Sequence, residues 1–194
     1  MNLVLTKNFY NWMRTVLLGG KPSFSTTNSD GLYTRVKAIG EMKTTNEAKV
    51  VELSNISDYG AREFTLLSWG TSTQDKYSTR FLIGTDNTEA TEDDYRLGDA
   101  LVKDTDYKII FYASTYPTTL ESGKTNLTFV VIVAVPENNQ PISVGEIGLF
   151  KGFYCTTDTS SAGYNDVLLG RIALETPIPL SAGERATYQI TIEI

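Results

Sequence analysis

The 194-residue sequence predicts an all-β protein, an antiparallel β-sandwich (jelly-roll-like or Ig-like) with one short N-terminal α-helix. Three observations carry that expectation. About nine or ten short runs alternate apolar and polar residues and are separated by turn residues. One stretch, residues 141–153 (PISVGEIGLFKGF), changes phase in its middle as a bulged central strand does. Only one segment, residues 6–18, repeats apolar side chains at helical spacing.

The phase change is the most specific of the three. Ile142 and Val144 share a face by alternation, then Ile147 and Leu149 share a face one residue out of step. An extra residue at Gly145-Glu146 returns all four to the same core face.

The helix should start after Thr6 as N-cap, with Leu5 stapling onto Tyr10, and stop at Gly19-Gly20. Its stripe is Phe9, Trp12, Met13, Val16 and Leu17. A helix this short is marginal alone, so the stripe must be buried. It packs either on its own sheet or on a neighbouring subunit, in which case these five residues form an interface. Residues 21–31 read as a loop or arm, so 1–31 is a helix-and-arm unit and 32–194 the sandwich domain.

Strands are expected over 32–42, 49–56, 63–69, 79–83 and 107–112, with an acidic loop at 84–94. The run 126–135 is apolar on both faces and reads as a central strand covered on both sides. Residues 156–166 read as an exposed loop, and 175–185, with two prolines, as an edge or crossover connection. Residues 167–174 and 187–194 are expected to pair as a hairpin. In the latter, Tyr188, Ile190, Ile192 and Ile194 face one way.

Composition narrows the function. The chain carries 17 basic and 23 acidic residues, a net charge of −6, with the basic residues spread singly. Counterion release needs clustered cations, so no nucleic-acid partner is expected. The longest apolar run, 129–135, is too short to cross a bilayer, and the N-terminus lacks a secretory layout, so no membrane partner or export is expected. A single cysteine, Cys155, excludes an intrachain disulfide and fits a reducing cytoplasm.

The chain contains no histidine, which removes the commonest general base, the usual nucleophile-activating partner and histidine metal sites. Gly123-Lys124-Thr125 resembles the end of a phosphate loop, but Thr118 stands where that loop needs glycine and a strand follows. The acids Asp86, Glu89, Glu92, Asp93 and Asp94 lack EF-hand spacing; calcium there is the sharper alternative to a solvated loop. Tyr59, Trp69, Tyr77, Tyr116 and Tyr164 are the candidates for a sugar-binding platform, against packing roles. No enzyme, cofactor or metal site is expected from these residues.

Two blocks carry a resemblance. Residues 80–101, RFLIGTDNTEATEDDYRLGDAL, resemble a segment of tailed-bacteriophage structural proteins. Residues 144–150, VGEIGLF, with 168–194, LLGRIALETPIPLSAGERATYQITIEI, look like the ending of phage tail-collar, neck and fibre-attachment β-sandwich proteins. The opening LTKNFYNWMRTVLLG is similar to the N-terminal helix such chains carry. The first block departs from the family's glycine-rich form, having GTDNTE. The resemblance implies a virion component made in the host cytoplasm. Its partners would be copies of itself in a homo-oligomer and other virion proteins, through protein–protein interfaces. The alternative is a carbohydrate- or receptor-binding module with a host-surface glycan as partner.

Overall fold

The computed structural model describes residues 3–18, 23–27, 33–37, 79–113, 118–119, 125–157 and 160–193. Among them are ten strands and one helix: β1 (Val4–Leu5), α1 (Lys7–Leu18), β2 (Ser23–Thr27), β3 (Tyr33–Lys37), β4 (Thr79–Gly84), β5 (Lys108–Ala113), β6 (Thr118–Thr119), β7 (Thr125–Ala134), β8 (Ile142–Thr157), β9 (Ser160–Leu180) and β10 (Arg185–Glu193). They form two antiparallel sheets, so the all-β sandwich expectation holds. The first runs β1-β9-β8-β3-β2 with β4 also on β8. The second runs β10-β7-β5 with β6 on the end of β7.

The sheets face each other across one core. Phe81, Ile83, Ile147 and Leu149 come from the first sheet, and Phe129, Val131, Val133, Tyr188 and Ile190 from the second. Phe81 and Phe129 meet edge-on at 5.4 Å, joining the layers. Tyr107 is fully buried in the same core, and its hydroxyl accepts the Ile83 N–H at 3.2 Å. Burial pushes the Tyr107 phenol up to about 12, so the group is neutral at any physiological pH.

The bulged strand is present. Ile142, Val144, Ile147 and Leu149 all reach the main core. The register on β9 jumps between Val144 and Glu146, from Ile178 to Ala173, so residues 174–177 stand opposite the single Gly145. The extra length therefore lies mostly in β9. A second slip follows, where Leu149 pairs with Gly170 and Phe150 with Leu168, leaving Leu169 as the added residue.

The structure corrects several expectations. The expected loop 156–166 is instead mostly strand: β8 runs to Thr157 and β9 begins at Ser160. The proline-bearing segment pairs too, Ser143 opposite Pro179 and Ile142 opposite Leu180, and the crossover is the short turn at 181–184. In that turn Gly183 has φ 80°, a conformation side-chain-bearing residues rarely adopt. The expected terminal hairpin does not form. β10 pairs with β7 from Arg185↔Ala134 to Glu193↔Asn126, in the other sheet. Its alternation does hold, with Tyr188, Ile190 and Ile192 buried and Gln189 and Thr191 exposed. β7 is central in its sheet, but on its outer face Val130 and Ile132 are only half-buried.

The described N-terminal strands are part of the first sheet. β1 pairs with β9 (Val4↔Arg171, Leu5↔Gly170) and β2 with β3 (Ser23↔Lys37 to Thr27↔Tyr33), so both lie in the first sheet. Phe9 and Trp12 are 2% and 1% exposed within the chain's own core, with Met13 half-buried against it. Intramolecular packing thus occupies these three as interface candidates. The side chains of Val16 and Leu17 lie outside the described residues, as do the strands expected at 49–56 and 63–69.

Thr6 precedes the helix as expected, and its carbonyl accepts the Phe9 N–H at 3.0 Å. Its hydroxyl, however, donates to the Leu168 carbonyl at 2.8 Å and its N–H to Leu169, tying the helix start to β9. Tyr10, the expected staple partner of Leu5, is 55% exposed while Leu5 packs on the core.

Candidate functional site

On the outer face of the first sheet, three strands and one loop converge on Arg171. Gly84 lies opposite Glu146 where β4 meets β8, and Gly148 lies opposite Arg171 where β8 meets β9. The loop following β4 folds back over this face. Leu97 seats it, packing with Phe150, Leu168 and Leu82 in a second, smaller core.

The Arg171 guanidinium serves three carboxylates at once. Its Nε donates to Glu146 Oε2 at 2.7 Å, Nη1 to Asp94 Oδ2 at 3.0 Å and Nη2 to Asp86 Oδ2 at 2.9 Å. The Arg171 side chain is 5% exposed, that of Glu146 fully buried, and Asp94 and Asp86 are only partly open to water. Burial disfavours the Arg171 charge, but its hydrogen bonds to Asp94 and Glu146 outweigh it and the guanidinium is held above its ordinary value.

Each carboxylate also organises backbone. Glu146 accepts the N–H of Asp99 at 2.9 Å and of Gly98 at 3.1 Å. Asp86 accepts the N–H and hydroxyl of Thr88, and Asp94 those of Thr91. Two loop turns and a loop end are thereby fixed to one cation. The fit is close: a Cβ at Gly84 would collide with Glu146, one at Gly98 with Asp86, and one at Gly145 with the carbonyl of Thr85. Gly145 is thus required for close approach of the loop as well as for the bulge. At the loop's far side Lys7 pairs with Asp93, its ammonium lies 3.9 Å from Glu92, and its N–H donates to the Glu92 carbonyl at 2.8 Å. The hydrogen bond to Asp93 raises the Lys7 ammonium above its usual value.

This arrangement positions the loop on the sheet. All three inner carboxylates accept from the guanidinium, and in a buried cluster the attraction is largely offset by the cost of removing the charges from water. The acidic loop splits in two: Asp86 and Asp94 turn inward onto Arg171, while Glu89, Glu92 and Asp93 stay exposed. Arg171 supplies the positive charge that the calcium alternative assigned to a metal. Among the described residues no group of three or more acids, His or Cys is arranged around a metal position.

Asp86 makes the clasp acid-sensitive. The Thr88 hydroxyl, then its N–H, hold the carboxyl below the usual carboxylate range; partial burial opposes this and Arg171 adds to it. A depressed folded value means stability that is present above about pH 4 and lost as pH falls through the folded value. The melting temperature should therefore fall less steeply below about pH 4 in Asp86→Asn than in the parent chain. Parallel profiles in a pH series of thermal melts would contradict this.

Arg171 and Glu146 escaped the reading of chemistry from sequence, although a signal existed. Each is a lone charge inside an apolar strand, in VGEIGLF and LLGRIAL, where a buried charge requires a partner. Of the sugar-platform candidates, Tyr59, Trp69, Tyr77 and Tyr116 lie outside the described residues. Tyr164 lies on β9 opposite Tyr154, but its side chain is outside them, as are that of Cys155 and the Gly123-Lys124 turn.

Fold and site together define a class: an all-β, sandwich-like protein with a loop clasped to one sheet by a buried arginine. No family model, curated protein or solved structure matches the chain.

Proposed function

We propose that the chain is a structural component of a bacteriophage virion, at a collar, neck, tail or fibre-attachment position, acting through protein–protein interfaces in a symmetric assembly. The observation that supports this reading most is the meeting of the two blocks that carry the family resemblance. Asp86 and Asp94 come from the first block, Glu146 and Arg171 from the second, and they form one ion cluster. The paired segments thus make a single unit, a rigid sheet presenting one loop in one shape. An assembly subunit needs that kind of surface, because an interface that is ordered in advance loses less entropy on binding.

The intact chain is the right object to test. Residues 1–31 contribute two strands and part of the core, so removing them would ask about folding and not about anchoring. Sedimentation of the full chain, of mass 21.5 kDa, should give a defined oligomer, and electron microscopy of the native assembly should place it with other virion proteins. A lone chain at every concentration would overturn the reading. If that lone chain bound a glycan array, the receptor-binding alternative would replace it.

A further inference from the structure

The outer face of the second sheet holds a surface that the described residues leave exposed. Lys108, Ala134 and Arg185 form one row across β5, β7 and β10, and Ile110, Ile132 and Thr187 form the next outward-facing row. Ile110 is 65% exposed and Ile132 half-buried, so an apolar strip lies beside the two cations. Lys108 and Arg185 stand two strands apart, about 10 Å. Neither meets a carboxylate among the described residues.

The opposite face of the sandwich carries the complement. Beside the clasp is a cleft of ≈ 360 Å³ whose lining includes Asp86, Glu89, Asp94, Tyr95, Arg96 and Arg171. With Asp93, which also lines it, four carboxylates face two guanidiniums, and Arg171 is shared with Glu146 beneath. Glu89 is exposed and meets no cation among the described residues. The cleft is therefore net negative, open to water and roomy enough for a long side chain.

We propose that the Lys108–Ile110–Arg185 face of one copy docks on the acidic cleft of a second copy. A second copy is favoured because both halves of a complementary contact are present on one chain. Two-fold pairing of the basic face with itself would set cations against cations, which disfavours an isologous contact. The surfaces lie on opposite faces of the sandwich, so the contact is heterologous and runs front to back, either closing into a ring or continuing as a stack. Ile110 supplies the apolar centre and the charges set the register. This inference rests on the assembly reading above and specifies its interface.

The test uses the intact chain, Lys108→Glu/Arg185→Glu, Glu89→Lys and Ile110→Asp, followed by sedimentation equilibrium at about 0.05 M and about 0.5 M salt. All the changed residues are exposed, and far-UV circular dichroism checks that each variant is folded. The parent chain should associate, less tightly at high salt. Each variant should associate at least about tenfold more weakly. Mixing the Lys108→Glu/Arg185→Glu and Glu89→Lys proteins should restore association, because the unchanged basic face of the second then meets the unchanged acidic cleft of the first. If the parent associates and the variants retain its mass and salt response, this docking mode is wrong while the assembly reading stands. A parent chain that stays single at both salt concentrations overturns both.

Discussion

Replacing Arg171 with methionine is expected to lower the free energy of unfolding by about 3–5 kcal/mol, the usual loss when one partner of a buried ion pair is removed. Methionine can fill much of the space, so the loss is mainly electrostatic. Glu146, fully buried, keeps only the N–H groups of Gly98 and Asp99. Asp86 and Asp94 lose the cation that holds them close to it and to each other. Adding Glu146→Gln should recover part of the loss, because it removes the buried charge while its single amide oxygen still accepts one of those two N–H groups. Urea unfolding measures both values. Hydrogen exchange locates the effect: amides of Gly98 and Asp99 should exchange faster in Arg171→Met, before those of Phe129 and Val131 in the second sheet. A single-variant loss below about 1 kcal/mol, the scale of a surface pair, would show that the clasp is not a buried network.

Trp12→Ala is the second large effect, about 3–5 kcal/mol, as for removal of a large side chain from a core. Trp12 is 1% exposed and its ring packs against Phe9 at 5.8 Å. Trp12→Phe should cost clearly less, because it keeps most of the apolar area and the indole N–H it removes has no partner among the described residues. The pair of variants separates the two uses of the helix stripe considered from sequence. If Trp12 served only a neighbouring subunit, Trp12→Ala would leave thermal unfolding of the single chain unchanged and weaken association alone. Packing within the chain's own core predicts the opposite, a lower melting temperature at any concentration.

The candidate site was half legible. Its loop was readable as an acidic connection, because Gly84, Thr85 and the acids after them break strand alternation. That Asp86 and Asp94 would turn inward was not readable, since acids in a loop are usually solvated and their partner lies 77 or more residues away. The same limit explains the misplaced hairpin. The alternation in β10 tells which side chains face the core, but β7 and β9 offer it equally apolar neighbours, and nothing local says which edge it joins. The turn at 181–184 is short enough for either outcome.

Local chemistry determined the elements: a helix over 7–18, the bulge at Gly145, the acidic loop and the inward Tyr188, Ile190 and Ile192, each following from period, turn residues or a phase slip within a few positions. The tertiary structure alone decided that β10 crosses to the other sheet, that β1 and β2 join the first sheet, and that Arg171 gathers Asp86, Asp94 and Glu146. The physical reason is range. A side chain's face is set by backbone geometry within a strand, whereas its partner is set by where distant segments can bury apolar surface and neutralise charge together.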